Sequence, residues 1–362
     1  MRQRTSTDEG RHAGPHGRTA RGRRATAAAR VLTACVLTVG LGLPISAHAD
    51  FQIAQEPLSI GGQGVPGNLA LVPSVEFPTV NSVANVSNTY TTSRAYTGYF
   101  DPGKCYRYSY SATESERHFY PSSTTGTRTC SGSGEWSGNF LNWAATQTID
   151  PFRKVLTGGY RVKDTATETW LGMARHDGQG SYFPDRRIPS SGSDASLVAG
   201  ATPFNANWMR MRIDGLGNKM RFRLESNGVN SGVTDYNPAN ATVKTNAYEL
   251  SVRVEVCNTS VGIESNCVKY DQGWKPEGVI QENAGSLRYS VFGYLNDDSM
   301  YRDGGVLRAG NSFVGPEYYD PSQGKTVTNP NREWDPDTGV LIDNPRPPEA
   351  TGTSNDIYTT IN

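Results

Sequence analysis

The sequence predicts an α/β fold. Three apolar runs, at 68–72, 250–256 and 287–295, read as strands, and the stretch 139–175 carries apolar residues at helical spacing. Four cysteines set in turn-rich segments add β-rich, disulfide-stapled insertions to that frame. The 362 residues include 39 Gly and 21 Pro and are 36% hydrophobic. That composition suits a loop-rich exported chain better than a compact enzyme.

The first 49 residues read as a secretory signal peptide. They hold eight Arg and two acidic residues, a net of +6, so the remaining 27 basic and 33 acidic residues carry −6. An Arg-rich segment ends at Arg30, an apolar run spans Val31 to Leu43, and Ala47-His-Ala49 is a small-residue cleavage pattern. The run is too short to cross a bilayer, and no other stretch is long enough. Arg23-Arg24 lacks the rest of a twin-arginine consensus, and Arg30 sits too close to Leu32-Thr-Ala-Cys35 for a lipoprotein box. A mature chain of mildly acidic balance is not a general nucleic-acid binder.

Once Cys35 leaves with the signal, Cys105, Cys130, Cys257 and Cys267 remain. Three pairings are open to them. The local one, Cys105 with Cys130 and Cys257 with Cys267, is expected because each pair brackets a turn-rich segment.

The elements follow in order. Asn68 to Val72 is a short buried strand. Cys105 to Cys130 is a Tyr- and Ser-rich stapled hairpin, whose Tyr106, Tyr108, Tyr110 and Tyr120 either alternate along a twisted strand or stack on a ligand; alternation is the simpler reading. Ser137 or Asn139 caps a helix bearing Phe140, Trp143 and Ala144. Asp150-Pro151 starts a second helix with an apolar face of Phe152, Val155 and Leu156, closed by Gly158-Gly159. Thr165-Ala-Thr-Glu168 has capping-box spacing ahead of Trp170, Leu171 and Met173 and predicts a third short helix. Trp136, Trp143 and Trp170 read as core.

Gly178 to Pro203 is a long loop by composition. Met209, Met211 and Ile213, then Met220, Phe222 and Leu224, alternate with Arg210, Arg212, Arg221 and Arg223. This is a hairpin with one apolar and one cationic face. The four Arg form either an anion-binding face or a solvated face paired with acids, and pairing is the simpler reading. Gly228 to Ala247 is loop. Leu250, Val252, Val254 and Val256 make an alternating strand, Lys275-Pro276 starts a short helix, Leu287 to Leu295 is a central strand, and Gly304 to Arg308 is a further strand. Asp335, Asp337 and Asp343 sketch a calcium loop but lack the full EF-hand ligand set, so an Asp-Gly turn is expected there. No nucleophile elbow, zinc-protease helix or phosphate loop appears, and only His118 and His176 follow the signal, so catalysis and a resident cofactor are not expected.

Several long strings resemble the PilC/PilY-type type IV pilus tip-associated adhesin and biogenesis family. They are Ala95-Tyr-Thr-Gly-Tyr-Phe-Asp-Pro-Gly-Lys-Cys105, Cys130 with Trp136-Ser-Gly-Asn-Phe-Leu-Asn-Trp143, and Arg153-Lys-Val-Leu-Thr-Gly-Gly-Tyr-Arg-Val-Lys-Asp-Thr-Ala-Thr-Glu168. Val252-Arg-Val-Glu-Val-Cys257, Lys275-Pro-Glu-Gly-Val-Ile280 and Gly304-Gly-Val-Leu-Arg308 keep the family's order. The resemblance implies a degenerate von Willebrand factor A-like sheet over 50–315. It implies a protein exported through the periplasm to the cell surface or pilus tip, with minor pilins and a host or abiotic surface as partners. In many relatives the first strand ends in a metal motif; Pro73-Ser-Val-Glu-Phe-Pro78 lacks its Asp and second Ser, so that site is not carried over. Residues 316–362 read as a Pro/Gly/Asn-rich tail truncated before a C-terminal domain. A free-standing secreted carbohydrate- or surface-binding module is the alternative function.

Overall fold

The computed structural model describes residues 65–73, 82–175, 183–240, 246–297, 302–343 and 356–362, with side chains omitted at 294–297 and 302–304. The signal segment, Glu76 and His176 lie outside the described residues. The chain from Glu56 to Asn362 is one compact unit.

Strand β1 (Gly67–Leu71) is followed by the hairpin β2 (Lys104–Ser109) and β3 (His118–Thr124). Strand β4 (Glu135–Ser137) runs straight into helix α1 (Gly138–Ala145), and helix α2 (Ile149–Thr157) comes next. Hairpin β5 (Arg161–Asp164) and β6 (Thr169–Gly172) leads to β7 (Arg186–Ile188), helix α3 (Ala195–Ala201), and hairpin β8 (Met209–Arg212) and β9 (Lys219–Leu224). Strands β10 (Val233–Asp235), β11 (Ala247–Ser251), β12 (Arg253–Val256), β13 (Cys267–Lys269) and β14 (Trp274–Pro276) precede helix α4 (Val279–Glu282). Strands β15 (Leu287–Asp297), β16 (Arg302–Ser312), β17 (Glu317–Asp320) and β18 (Lys325–Thr328), with helix α5 (Ile357–Ile361), complete the described chain.

Three main sheets result, in strand order β4-β2-β3-β12-β6-β5, β10-β11-β9-β8-β7 and β1-β15-β16. The class is mixed α/β. The three strands expected to frame one sheet are distributed instead. β1 pairs in parallel with the central strand β15, while the run 250–256 belongs to the other two sheets. That run divides at Val252, whose N–H donates to Asn218 O and whose carbonyl accepts from Met173 N, each at 3.0 Å. Leu250, Val252, Val254 and Val256 stay buried through the change, so the alternation read from sequence survives although the strand changes sheet.

The main core lies with these two sheets and α1, and Trp136 is its hub. Its ring centroid is 5.4 Å from Phe222, 5.5 Å from Phe204, 5.7 Å from Tyr236 and 6.0 Å from Phe119. Edge-to-face packing of this kind adds to what burial alone supplies. Trp143 and Trp170 are buried too, as expected. Tyr106 and Tyr108 are core residues, as alternation along β2 requires, and Tyr110, past the end of that strand, is exposed. A second core gathers Ile280, Tyr289, Val291, Val314, Trp334 and Ile357.

Several expectations need correction: the 228–247 loop holds β10, and Lys275-Pro276 closes β14, the helix starting at Val279. Thr165 to Glu168 is a hairpin turn, not a helix start: Thr165 N donates to Glu168 O (2.9 Å), and Thr165 Oγ1 accepts from Glu168 N (3.1 Å). Trp170 and Leu171 then alternate between two sheet faces. The 178–203 loop holds β7 and α3, capped by Asp194 on Leu197 N. Strand β1 is an edge strand with Leu69 exposed, not a buried one. Of the apolar side of α2, Leu156 packs against the second core, but Phe152 and Val155 face out, 55% and 60% exposed. The chain after 316 forms the hairpin β17–β18 and ends in α5, whose Ile357 and Tyr358 are buried.

Candidate functional site

The cationic face was the first candidate, and the register of β8 and β9 assembles it as the alternation requires. Met209, Met211, Met220, Phe222 and Leu224 point into the core. On the other face Arg210 stands opposite Arg223 and Arg212 opposite Arg221. Like charges directly opposite one another repel, and the neighbouring strands answer that repulsion. Asp185 takes Arg212 at 3.4 Å and Arg210 at 3.7 Å, and Asp214 takes Arg212 as well. Glu249 on β11 receives Arg221 Nε at 2.7 Å and Lys219 Nζ at 2.9 Å. Arg223 donates to Gly228 O at 2.7 Å. Burial alone would raise the Glu249 carboxyl, but the bonds from Lys219 and Arg221 outweigh it and hold it below its ordinary value. Sequence reading missed Arg187, which extends the row on β7 opposite Arg210 and lies 4.5 Å over the Trp208 ring. Its place in Asp185-Arg-Arg-Ile188 ahead of a proline was the available signal. Arg210, Arg212 and Arg221 are therefore paired with acids, and an anion would have to displace Asp185 or Glu249 to reach them, whereas Arg187 donates to the carbonyls of Pro189 and Gly192.

The three aspartates near the end do not converge. Asp335 Oδ1 accepts from the backbone N–H of Asp337 (3.1 Å) and of Thr338 (2.8 Å) and from Thr338 Oγ1 (2.8 Å). These bonds hold the Asp335 carboxyl below its ordinary value. Gly339, at φ +67°, closes the turn, which joins Trp334 to Leu341. Asp343 is exposed. Among the described residues, the clusters of donors close enough to share an ion do not include these three.

The cystines are Cys105–Cys130 and Cys257–Cys267, the local pairing. Their loops are joined by a buried ion pair. Lys104, next to Cys105, reaches Glu264 at 2.6 Å, and Glu264 also accepts from Cys257 N at 2.8 Å. One loop therefore braces the other.

The segment 94–100 is fastened to α1 by two buried asparagines. Asn139 accepts from Tyr96 N and donates to Arg94 O, both at 2.9 Å. Asn142 accepts from Phe100 N (3.1 Å) and donates to Tyr96 O (2.9 Å) and Phe100 O (2.8 Å). Ser137 caps α1 by accepting from Phe140 N at 3.3 Å. Fit is close as well, since a Cβ on Gly98 would stand 2.1 Å from Asn142 Oδ1. These side chains fall in one of the strings that carried the family resemblance, Trp136–Trp143, and the asparagines hold the backbone of another, Ala95–Cys105.

No helix among the described residues is long and apolar enough to cross a membrane. No solved structure matches the chain. It is 50% identical over 346 residues to a type IV pilus biogenesis factor PilY1 homolog of Xylella fastidiosa, covering 90% of this chain and 28% of that protein. A second Xylella fastidiosa type IV pilus biogenesis factor PilY1 homolog is 28% identical over 278 residues, covering 65% of this chain and 17% of its own. The chain thus spans under a third of the length of these curated relatives. The family described as "PilY1 homolog, small alpha/beta domain" matches residues 87–276, the span that holds both cystines, the Trp136 core and the Arg face. The chain belongs to the PilY1 homolog family.

Proposed function

We propose that this chain is an accessory protein of type IV pilus biogenesis that works outside the cytoplasm by folding and display, not by catalysis. The observation that carries the reading is the 50% identity, over 90% of the chain, with a type IV pilus biogenesis factor. Two cystines favour an oxidising compartment, as do their interlocked loops. Minor pilins and the pilus tip are the proposed partners, and surface adhesion is the proposed outcome of display. Because acids already hold Arg210, Arg212 and Arg221, a glycan-binding role gains no support from these three.

The test is an immunoblot of sheared surface filaments, using antibody against residues 87–276, in a parent strain and in one lacking the major pilin. Signal in the filaments that disappears with the pilin is expected. Equal signal in the medium of both strains would overturn the reading in favour of a free-standing secreted binding module.

A further inference from the structure

The outward face of the six-stranded sheet carries a cluster that the functional reading does not use. His118 opens β3, Glu255 lies on the adjacent β12, and Glu168 immediately precedes β6, the next strand over. All three are partly buried, and one donor atom from each lies within 4.8 Å of the others. We propose that His118, Glu168 and Glu255 form a binding site for a divalent transition-metal ion, Zn2+ being the best fit.

The arrangement of the imidazole is the main support. His118 Nδ1 lies 3.0 Å from the backbone carbonyl of Glu116. A carbonyl oxygen only accepts, so Nδ1 carries the proton and the neutral ring keeps its lone pair on Nε2. A backbone carbonyl that fixes the tautomer in this way is the usual outer partner of a metal-bound histidine. The ring is also fixed in plane. It stacks on Trp170 at 3.7 Å between centroids and 20° between planes, and Trp170 donates Nε1–H to Glu168 Oε1 at 2.6 Å.

The charge balance favours a cation. Lys163 lies 3.9 Å over the Trp170 ring and pairs with Glu168 at 2.8 Å. Among the described residues no ion pair is formed by Glu255, whose Oε1 accepts from the neutral Asn258 amide at 2.7 Å. Two carboxylates against one lysine leave the seat one charge short of neutral. Imidazole nitrogen with two carboxylates suits zinc and its neighbours, whereas Ca2+ and Mg2+ prefer all-oxygen sets. Tetrahedral zinc needs donors about 3.4 Å apart. The three donors, now within 4.8 Å of one another, would have to draw closer around the ion, with water as the fourth ligand. The bound ion would tie together three consecutive strands of the sheet.

The test is calorimetric titration of the chelator-treated protein with ZnCl2, repeated with CaCl2 and MgCl2. One equivalent of zinc binding at micromolar or lower Kd is expected, with a change in Trp170 fluorescence, and no uptake of calcium or magnesium at that concentration. Glu255→Gln and His118→Gln should each weaken zinc at least tenfold with circular dichroism unchanged. No zinc uptake by the parent protein overturns the proposal, as does uptake that both variants retain. If the variants do not fold, anomalous scattering at the zinc edge from crystals of the parent protein decides. A peak within bonding distance of the three donors supports the site, and its absence there refutes it.

Discussion

Asp150 was legible as a helix-starting residue and not as what it is. The cap of α2 falls at Thr148, and the Asp150 carboxylate instead spans two segments, accepting from Gln147 N at 3.2 Å and Ala174 N at 3.0 Å. Its burial outweighs these bonds and raises its pKa from 3.8 to about 6. Between those values the folded chain holds a proton that the unfolded chain has lost. The contribution of this group to stability is therefore present in full below about pH 4 and is lost as pH rises through about 6. Asp150→Asn should remove that dependence. The difference in urea unfolding free energy between parent and variant should change by roughly 2–3 kcal/mol from pH 4 to pH 7; an unchanged difference would show that the carboxyl stays ionised. Asn139 was read as a cap candidate for a similar reason. A short polar side chain next to a helix start accepts backbone N–H groups, but sequence does not say whose. Here Ser137 took the cap and Asn139 took Tyr96.

Among elements, hairpins and sheet alternation were legible and helix faces were not. The β8–β9 hairpin and its two faces follow directly from period-two alternation, which ties each side chain's face to its position. α2 shows the opposite. Its Phe152, Val155 and Leu156 have the spacing of a buried stripe, yet only Leu156 packs against a core, and the rest of the docking runs through small and polar groups. Lys154 Nζ donates to Gly98 O at 2.7 Å. Gly158 and Gly278 allow close backbone approach, a Cβ on either lying within 2.5 Å of backbone atoms. Steric fit between glycines more than a hundred residues apart leaves no periodic signal. Since Phe152 already stands in solvent, Phe152→Ser should change unfolding free energy by no more than about 0.5 kcal/mol; a loss of several times that would restore the inward-facing stripe. The Thr165–Glu168 misreading has a related cause, because the same side-chain bond to a backbone N–H serves a helix cap and a tight turn.

At the scale of the molecule, the recurring strings find each other through buried charge. Asp164 Oδ2 accepts from Arg161 at 3.0 Å and from Leu341 N at 3.0 Å, while Asp164 Oδ1 accepts from Lys275 Nζ at 2.7 Å. Arg161 donates to Pro276 O at 2.8 Å and to Gly339 O at 2.9 Å. Burial would raise the Asp164 carboxyl, but Arg161 and Lys275 bring it below its ordinary value. Nothing in local pattern marks Lys275 as a wholly buried cation; only its position in a string that travels with Arg161-Val-Lys-Asp164 hinted at a shared task. The same network anchors the segment expected to be a loose tail. Tyr358 Oη donates to Gly159 O at 2.7 Å and accepts from Arg161 N at 2.8 Å. Tyr358→Phe leaves both backbone groups buried without that partner and should cost about 1–3 kcal/mol by chemical denaturation; a cost near zero would mean that water replaces the hydroxyl. The cystines, finally, set how far this body can be drawn out under tension. A sequence separation of 25 from Cys105 to Cys130 and one of 10 from Cys257 to Cys267 are each short-circuited across less than 6 Å. At about 3.4 Å per extended residue, the first withholds roughly 80 Å and the second roughly 30 Å of length from a pulled chain. A reductant would release both as slack even with every other contact already undone.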